Sequence, residues 1–330
     1  MGISRGEKGR EGEGGRGRRG ANTRDLLSQS LNLFFSLLLF ALLLPSCTSI
    51  RPVIKIGLLA PFEGLHRQSG YAALTAMRQA IADFAPTGIA VMPVALDDAA
   101  ALDQTRRAGR KLLQDQSLRV LIGPYTPSLI PQIQPLLVNR GLSWFMPLAI
   151  NPAVGFVQPD RAGEWAWPLL TAAAEQAQHD GRQRLVLAGW TPGWPRLTDD
   201  QARTAFALPL VISDQITMIQ SEDAVFWLGS PESGARYFTT LRAQYPTLPF
   251  LLGPQADSPI FVEHTQISGP VCLLIWVDDG YEPWLAQHAN QSPTAYLTYR
   301  ATQQAMREIL GQPRLPSQAW RVKALVVVGE

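Results

Sequence analysis

The sequence predicts an α/β protein built as two doubly wound lobes, and three observations carry that expectation. From Val53 onward, apolar segments of strand length alternate with segments whose apolar residues recur every three or four positions. The strand segments are apolar on both faces, as strands of a parallel sheet covered by helices must be. Near Trp165 the alternation starts afresh, so a second unit of the same kind follows the first.

Each element follows in order. Val53–Ala60 (VIKIGLLA) reads as a strand closed by Pro61. Leu74, Met77, Ile81 and Phe84 then fall on one helical face. Residues 89–96 form a second strand, and Leu102, Thr105, Ala108 and Leu112 mark a second helix. Leu118–Ile122 is a third strand, Ile130, Ile133 and Leu137 a third helix, and residues 143–146 a fourth strand. Strand starts at 53, 89, 118 and 143 are 36, 29 and 25 residues apart, the lengths of βαβ units. In the second half, helices are expected at 165–179, 199–207, 232–244 and 294–310. Strands are expected at Arg184–Ala188, 210–213, 224–228, Phe250–Leu252, Val271–Val277 and 321–328. This gives a leader at 1–46, one lobe at 47–160, a second at 161–275, and a segment at 276–330 that returns a helix to the first lobe and ends in a crossover strand.

The leader changes the charge arithmetic. Of 330 residues only 17% are charged, with 29 basic and 27 acidic side chains, but seven basic and four acidic ones lie in residues 1–46. The body keeps 22 basic against 23 acidic groups and has no basic block, so it offers nothing to a phosphate backbone and nucleic acid is not an expected partner. Residues 31–44 are an apolar run too short to span a bilayer, which needs about 20 residues. Preceded by basic residues, the run reads as the core of a signal peptide. It ends in Leu44-Pro45-Ser46-Cys47, which resembles the bacterial lipobox. That resemblance implies lipidation of Cys47 and a body tethered outside the cytoplasm; an ordinary secretory signal is the alternative, and Pro45 departs from the usual pattern. A literal G-x-G-x-x-G at 12–17 has no strand before it and no helix after it, so it is no dinucleotide fingerprint.

Chemistry is sparse. Cys47 and Cys272 are the only cysteines, which excludes a disulfide scaffold and cysteine-rich metal sites. His66, His179, His264 and His288 show no metal-binding spacing, and each reads as a surface or core residue. No cofactor is expected. The acidic pairs Asp97-Asp98, Asp199-Asp200 and Asp278-Asp279 read first as turn or cap residues. Asp97-Asp98 stands out because it ends a strand, where open α/β sheets bind ligands. An enzyme with one of these two as acid or base would need a carboxyl pKa well above normal inside a cleft. More informative is Gly123-Pro124-Tyr125-Thr126-Pro127-Ser128, where a strand ends and a helix begins, placing backbone N–H groups and two hydroxyls at the sheet edge. Plain capping by Thr126 or Ser128 is the alternative, and the two roles can coexist. All nine tryptophans lie at or after Trp144. Trp227 reads as core, whereas Trp190 and Trp194, set among glycine and prolines, read as a cleft or hinge loop.

Ile54-Lys55-Ile56-Gly57-Leu58-Leu59-Ala60-Pro61, the Gly64 and Gly70 loop, Leu96-Asp97-Asp98, Val120-Leu121-Ile122-Gly123-Pro124 and Ala149…Asn151-Pro152 recur in an order that resembles the type I periplasmic binding proteins. Within these the resemblance is to the branched-chain amino acid (Leu/Ile/Val) class of ABC-transporter receptors. It implies two Rossmann-like lobes joined by crossover strands, closing on a small solute and docking on a membrane permease, without catalysis. It implies that an amino acid's carboxylate and ammonium are held by the loop carrying Tyr125, Thr126 and Ser128, by Ala149, Ile150 and Asn151, and by an acidic residue of the second lobe, here Glu232. Trp190 is expected beside them. Ile150 stands where that family has threonine and Pro127 where a serine is common, so two hydrogen bonds to a zwitterion are missing. A transport-independent sensor or interaction lipoprotein of the same fold is the other reading. The expectation that matters most is that Glu232 and the 125–128 loop line one cleft.

Overall fold

The apolar run at the head of the body becomes β1 (Val53–Ala60), the pivot of a four-stranded sheet in the computed structural model. The structure describes residues 34–36, 51–138, 140–195, 206, 208–288, 291–313 and 320–327. Residues 34–36 are helical; Pro52–Glu330 form a separate unit with the architecture that follows. The Cys47 lipobox and almost all of the helix expected at 199–207 lie outside the described residues. Among those residues, no helix is long and apolar enough to cross a membrane.

The first sheet runs β2 (Ala90–Asp97), β1, β3 (Leu118–Ile122), β4 (Ser143–Phe145), all parallel. Helices α1 (Arg67–Phe84), α2 (Leu102–Gln114) and α3 (Ile130–Leu137) connect these strands. The face that α1 buries is Gly70, Ala73, Ala76, Met77 and Ala80, all small but Met77, which lets it lie close; Phe84, expected inside, is exposed and meets Tyr299 edge-on at 5.8 Å. Gly70 is required by geometry. A Cβ there would lie 1.8 Å from the Pro61 carbonyl oxygen. A short hairpin, β5 (Ile150–Asn151) with β6 (Gly155–Phe156), follows β4.

α4 (Ala162–His179) then leads into a second, six-stranded sheet of β7 (Arg184–Ala188), β8 (Leu210–Ile212), β9 (Asp223–Trp227), β10 (Phe250–Leu252), β11 (Val271–Val277) and β12 (Arg321–Val326). Its spatial order is β12-β11-β10-β9-β7-β8, parallel except for β12 on β11. Around it lie α5 (Pro231–Gln244), α6 (Pro259–Glu263) and α7 (Tyr281–Gln287). The last helix, α8 (Pro293–Ile309), packs along α1 of the first lobe, where Tyr299 Oη donates to Asp83 at 2.8 Å. β12 pairs with the second lobe's sheet, so the boundary drawn at 275 falls inside β11.

One buried ion pair ties these parts together. Asp278, at the end of β11, meets Arg300 of α8 at 2.7 Å, and Tyr296 Oη donates to the same carboxylate. Both charged side chains are almost wholly excluded from water. Removing one partner of such a pair strands the other charge. Arg300→Met is therefore expected to cost about 3–5 kcal/mol in urea unfolding, whereas Arg300→Met with Asp278→Leu should recover most of that loss. Equal losses in the two variants would refute the assignment.

Candidate functional site

In each sheet the chain winds first to one side of its starting strand and then to the other. β1 lies between β2 and β3, and β7 between β8 and β9. Loops leaving such a pair in opposite directions leave a crevice at the carboxyl edge. The loops after β1 and β3 and those after β7 and β9 line a single cavity of about 300 Å³ between the lobes.

On the first lobe, the carboxylate of Asp97 shapes the floor. It accepts from the backbone N–H groups of Phe62 (2.6 Å), Glu63 (3.2 Å) and Ala99 (3.0 Å), holding the loop that carries His66. Asp98 accepts from Ala100 N–H at 2.9 Å. Between them they hold Ala99 and Ala100 at φ of 48° and 51°, the left-handed region that costs an L-residue on the order of 1–2 kcal/mol. Ala100 lines the cavity. Tyr125 is pinned through its hydroxyl to Thr298 of α8 at 2.9 Å, and burial pushes its phenol pKa well up. Thr126 and Ser128 also line the cavity, and neither side chain caps the helix that follows.

On the second lobe, Trp227 forms a fixed wall. Its indole N–H donates to the Ser230 carbonyl at 2.9 Å, and the ring lies so close to Gly229 and Gly234 that a Cβ at either would come within 2.7 Å of it. Ser230 caps α5, accepting from Ser233 N–H, and Glu232 sits in the first turn where the helix dipole favours a negative charge. One oxygen of Glu232, Oε2, is buried with no hydrogen-bond partner and faces His66 Nε2 across the cleft at 3.6 Å. Burial pushes the Glu232 pKa up, but the His66 imidazole opposite and hydrogen bonds at the helix start outweigh it and bring it down to about 2. Asp214, Gln255 and Asp257 complete this wall. Asp214 accepts from Gly189 N–H at 2.6 Å and Asp257 from Thr294 N–H at 2.7 Å; burial raises the Asp257 carboxyl. Both amide atoms of Gln255 are buried and unpartnered.

The structure thus brings Tyr125, Thr126, Ser128, Trp190 and Glu232 to one cavity. It does not bring Ala149, Ile150 and Asn151 there. Ala149 and Ile150 are wholly buried, and the Asn151 side chain is spent locally, donating to the Glu164 carbonyl at 2.8 Å and accepting from Ala153 N–H at 2.9 Å. The segment closes as the β5–β6 hairpin, in which Ile150 pairs with Phe156 and Asn151 with Gly155. Trp194 is likewise a correction: it is buried against Trp165 at 5.3 Å, while Trp190 faces the cavity. Trp227 is core and wall at once. Residues that the sequence reading passed over are His66, Asp214, Gln255, Asp257 and Thr294. One signal pointed at part of this set. The chain has three Ser-Pro dipeptides, Ser230-Pro231, Ser258-Pro259 and Ser292-Pro293, and each is the cap and first residue of a helix starting at the cavity. A larger opening, about 580 Å³, shares Ser69, Asp257 and Ser258 with the cavity, but its wall is largely apolar, with Leu252, Phe261, Val262 and Leu273.

No family model matches the chain, and no curated protein matches it either. Solved structures do. A leucine binding protein, LivK of Thermotoga maritima, superposes with a TM-score of 0.60 at 17% identity, over 78% of this chain and 84% of that one. The branched-chain amino acid transporter substrate binding protein LivJ of Streptococcus pneumoniae, in complex with isoleucine, gives 0.57 at 14% identity over 80% and 85%. An ABC transporter solute binding protein of R. palustris, in complex with 4-hydroxybenzoate, gives 0.57 at 13% over 78% and 79%. The fold is that of the type I periplasmic binding proteins. In this two-lobed fold the cavity described above lies where the lobes face one another.

Asp98 answers the question of acid–base chemistry. Its pKa rises from an ordinary 3.8 to about 6, through burial first and then the adjacent Asp97, against the pull of Ala100 N–H and His66. Yet it is completely buried and does not line the cavity. A carboxyl whose folded pKa lies above its unfolded value stabilises most below pH 3.8 and loses that contribution as pH rises through 6. Above pH 7 the cost is about 3 kcal/mol, at about 1.4 kcal/mol per pKa unit. Asp98→Asn, which still accepts from Ala100, should therefore melt several degrees above the wild type at pH 8 and match it at pH 4; a pH-independent difference would contradict this.

Proposed function

We propose that this protein is a solute receptor that captures a small organic molecule, an amino acid or a related compound, between its two lobes. The single observation that supports this most is the meeting of two sheet crevices at one cavity of about 300 Å³, which holds a buried carboxylate oxygen of Glu232 with no hydrogen-bond partner. That volume suits a small molecule. Among the described residues, the cavity wall carries Glu232, Asp214 and Asp257, with His66 as its basic residue and no lysine or arginine. A solute of neutral or positive net charge fits that balance, and a dianion does not. Glu232 would take a cationic nitrogen, Thr126 and Ser128 offer hydroxyls to a polar or anionic end, and Trp190, Trp227 and Tyr125 give apolar walls. Closure would follow from tighter binding to the closed form than to the open one.

The fold neighbours, a leucine binding protein, a branched-chain amino acid transporter substrate binding protein in complex with isoleucine and an ABC transporter solute binding protein in complex with 4-hydroxybenzoate, support a transport role with an ABC permease as partner. The signal sequence and Cys47 support an extracytoplasmic protein tethered by a lipid anchor. The solute contacts in this proposal are Tyr125, Thr126, Ser128, Trp190 and Glu232, without Ala149, Ile150 or Asn151.

The test is thermal unfolding of the body from residue 48 onward against amino acids, amines and small aromatic or aliphatic acids. A solute at about 100 times its Kd should stabilise by about 2.7 kcal/mol. Glu232→Gln should abolish the shift for cationic and zwitterionic members, and dicarboxylic acids should give none. Shifts confined to anions would overturn the charge assignment; no shift by any member would overturn the solute class.

A further inference from the structure

We propose that His66 is a resident cation of the cleft: in the empty protein its imidazolium occupies the Glu232 carboxylate that a solute's cationic nitrogen must take. Two consequences define it. The lobes of the empty protein are latched together at low pH, and cationic solutes bind more tightly as pH rises. The proposal rests on the solute reading above but has a consequence that needs no solute.

The geometry is built from both sides. His66 immediately precedes α1, and its carbonyl accepts from Ser69 and Gly70 N–H at 3.1 and 3.4 Å. Gly70 is packed on the Pro61 carbonyl, and Asp97 ties Phe62 and Glu63. The ring's position is therefore set by the first lobe. Glu232 is fixed by the Ser230 cap of α5, and so by the second. Their 3.6 Å separation spans the cleft. It is within reach of a charge–charge attraction and too long for a good hydrogen bond. Both side chains are partly shielded from water, with 18% and 30% of their surfaces exposed, so the attraction is screened less than at an open surface.

The other charged groups around His66 all act in the same direction. Asp98 lies behind it at the end of β2 and interacts with it electrostatically, Asp97 is next to Asp98, and Asp214 and Asp257 lie on the opposite cavity wall. Arg67, next in sequence, is exposed to solvent. Among the described residues, a positive charge on the ring is thus drawn to the cleft by carboxylates alone, and it is the charge that an incoming ammonium or guanidinium group would replace. Imidazole changes charge between pH 5 and 8, so protonation strengthens the latch as pH falls and strengthens competition with the solute at the same time.

The experiment uses the wild type, His66→Asn, His66→Gln and Asp98→Asn, first without solute. Small-angle scattering and tryptophan fluorescence, with Trp190 and Trp227 as reporters, are recorded at pH 5.5 and 8. The wild type should be more compact at pH 5.5; both His66 variants should be equally open at the two pH values, and Asp98→Asn should keep the response. A wild type insensitive to pH, or a response that survives in both His66 variants or vanishes in Asp98→Asn, would overturn the latch. A panel of primary amines and amino acids is then titrated at both pH values. A cationic binder should lose about tenfold in affinity for the wild type at pH 5.5, the equivalent of about 1.4 kcal/mol, and nothing for His66→Asn. Equal losses in both proteins would overturn the competition. If the latch responds but no panel member binds, the latch stands and it is the solute reading that fails.

Discussion

Everything at the cleft depends on where the two sheets reverse their winding. A strand flanked by neighbours reached in opposite directions leaves an edge that no connection crosses. Here β1 and β7 are those strands, one in each lobe. The segments that follow them and their later neighbours β3 and β9 carry His66, Tyr125, Thr126, Trp190 and, in the first turn of α5, Glu232. The site is therefore set by strand order before any particular side chain is chosen. Side chains then decide what the crevice can hold.

Close backbone approach is the second constraint, and it explains the glycines around the cleft. Gly193, at φ of 103°, would place a Cβ 2.0 Å from the Pro127 carbonyl oxygen, so the tryptophan-containing loop of one lobe lies directly on the first lobe's edge loop. Gly229 and Gly234 leave room for the Trp227 ring. The wall of the cavity is thereby fixed by packing instead of by rotamer choice, which keeps the charged groups opposite it at a defined distance.

The strands were legible because they are apolar on both faces. Val53–Ala60, Leu118–Ile122, Arg184–Ala188, Phe250–Leu252 and Val271–Val277 occupy the positions that hydrophobic runs assign them. Short elements were not. α6 and α7 are five and seven residues long and rich in proline and aromatic residues, too brief to show a helical period. The same asymmetry holds at the site. Glu232 and the 125–128 loop could be found because a helix start and a strand end announce them in sequence. His66 could not, since what distinguishes it is a carboxylate from the other lobe, 166 positions away. Ile150 misled for a related reason: position in a motif suggested a cleft residue, while its apolar side chain is satisfied only in the interior.

A receptor that closes on a solute must not close too firmly without one. A solute shifts the open–closed balance only by its differential affinity for the two forms, and an empty closed form makes its seat unavailable. A cross-cleft contact that is to yield must therefore be weak. Under the receptor reading proposed above, the His66–Glu232 pair meets that requirement by geometry: 3.6 Å apart, without hydrogen-bond contact, on two supports from different lobes. A bidentate arginine in the same place would hold the carboxylate too strongly for an ammonium group to displace it. Histidine is the one basic side chain whose attraction can be withdrawn within the physiological range. Its position opposite Glu232, in a cavity wall that has no other basic group among the described residues, is what the proposed latch depends on.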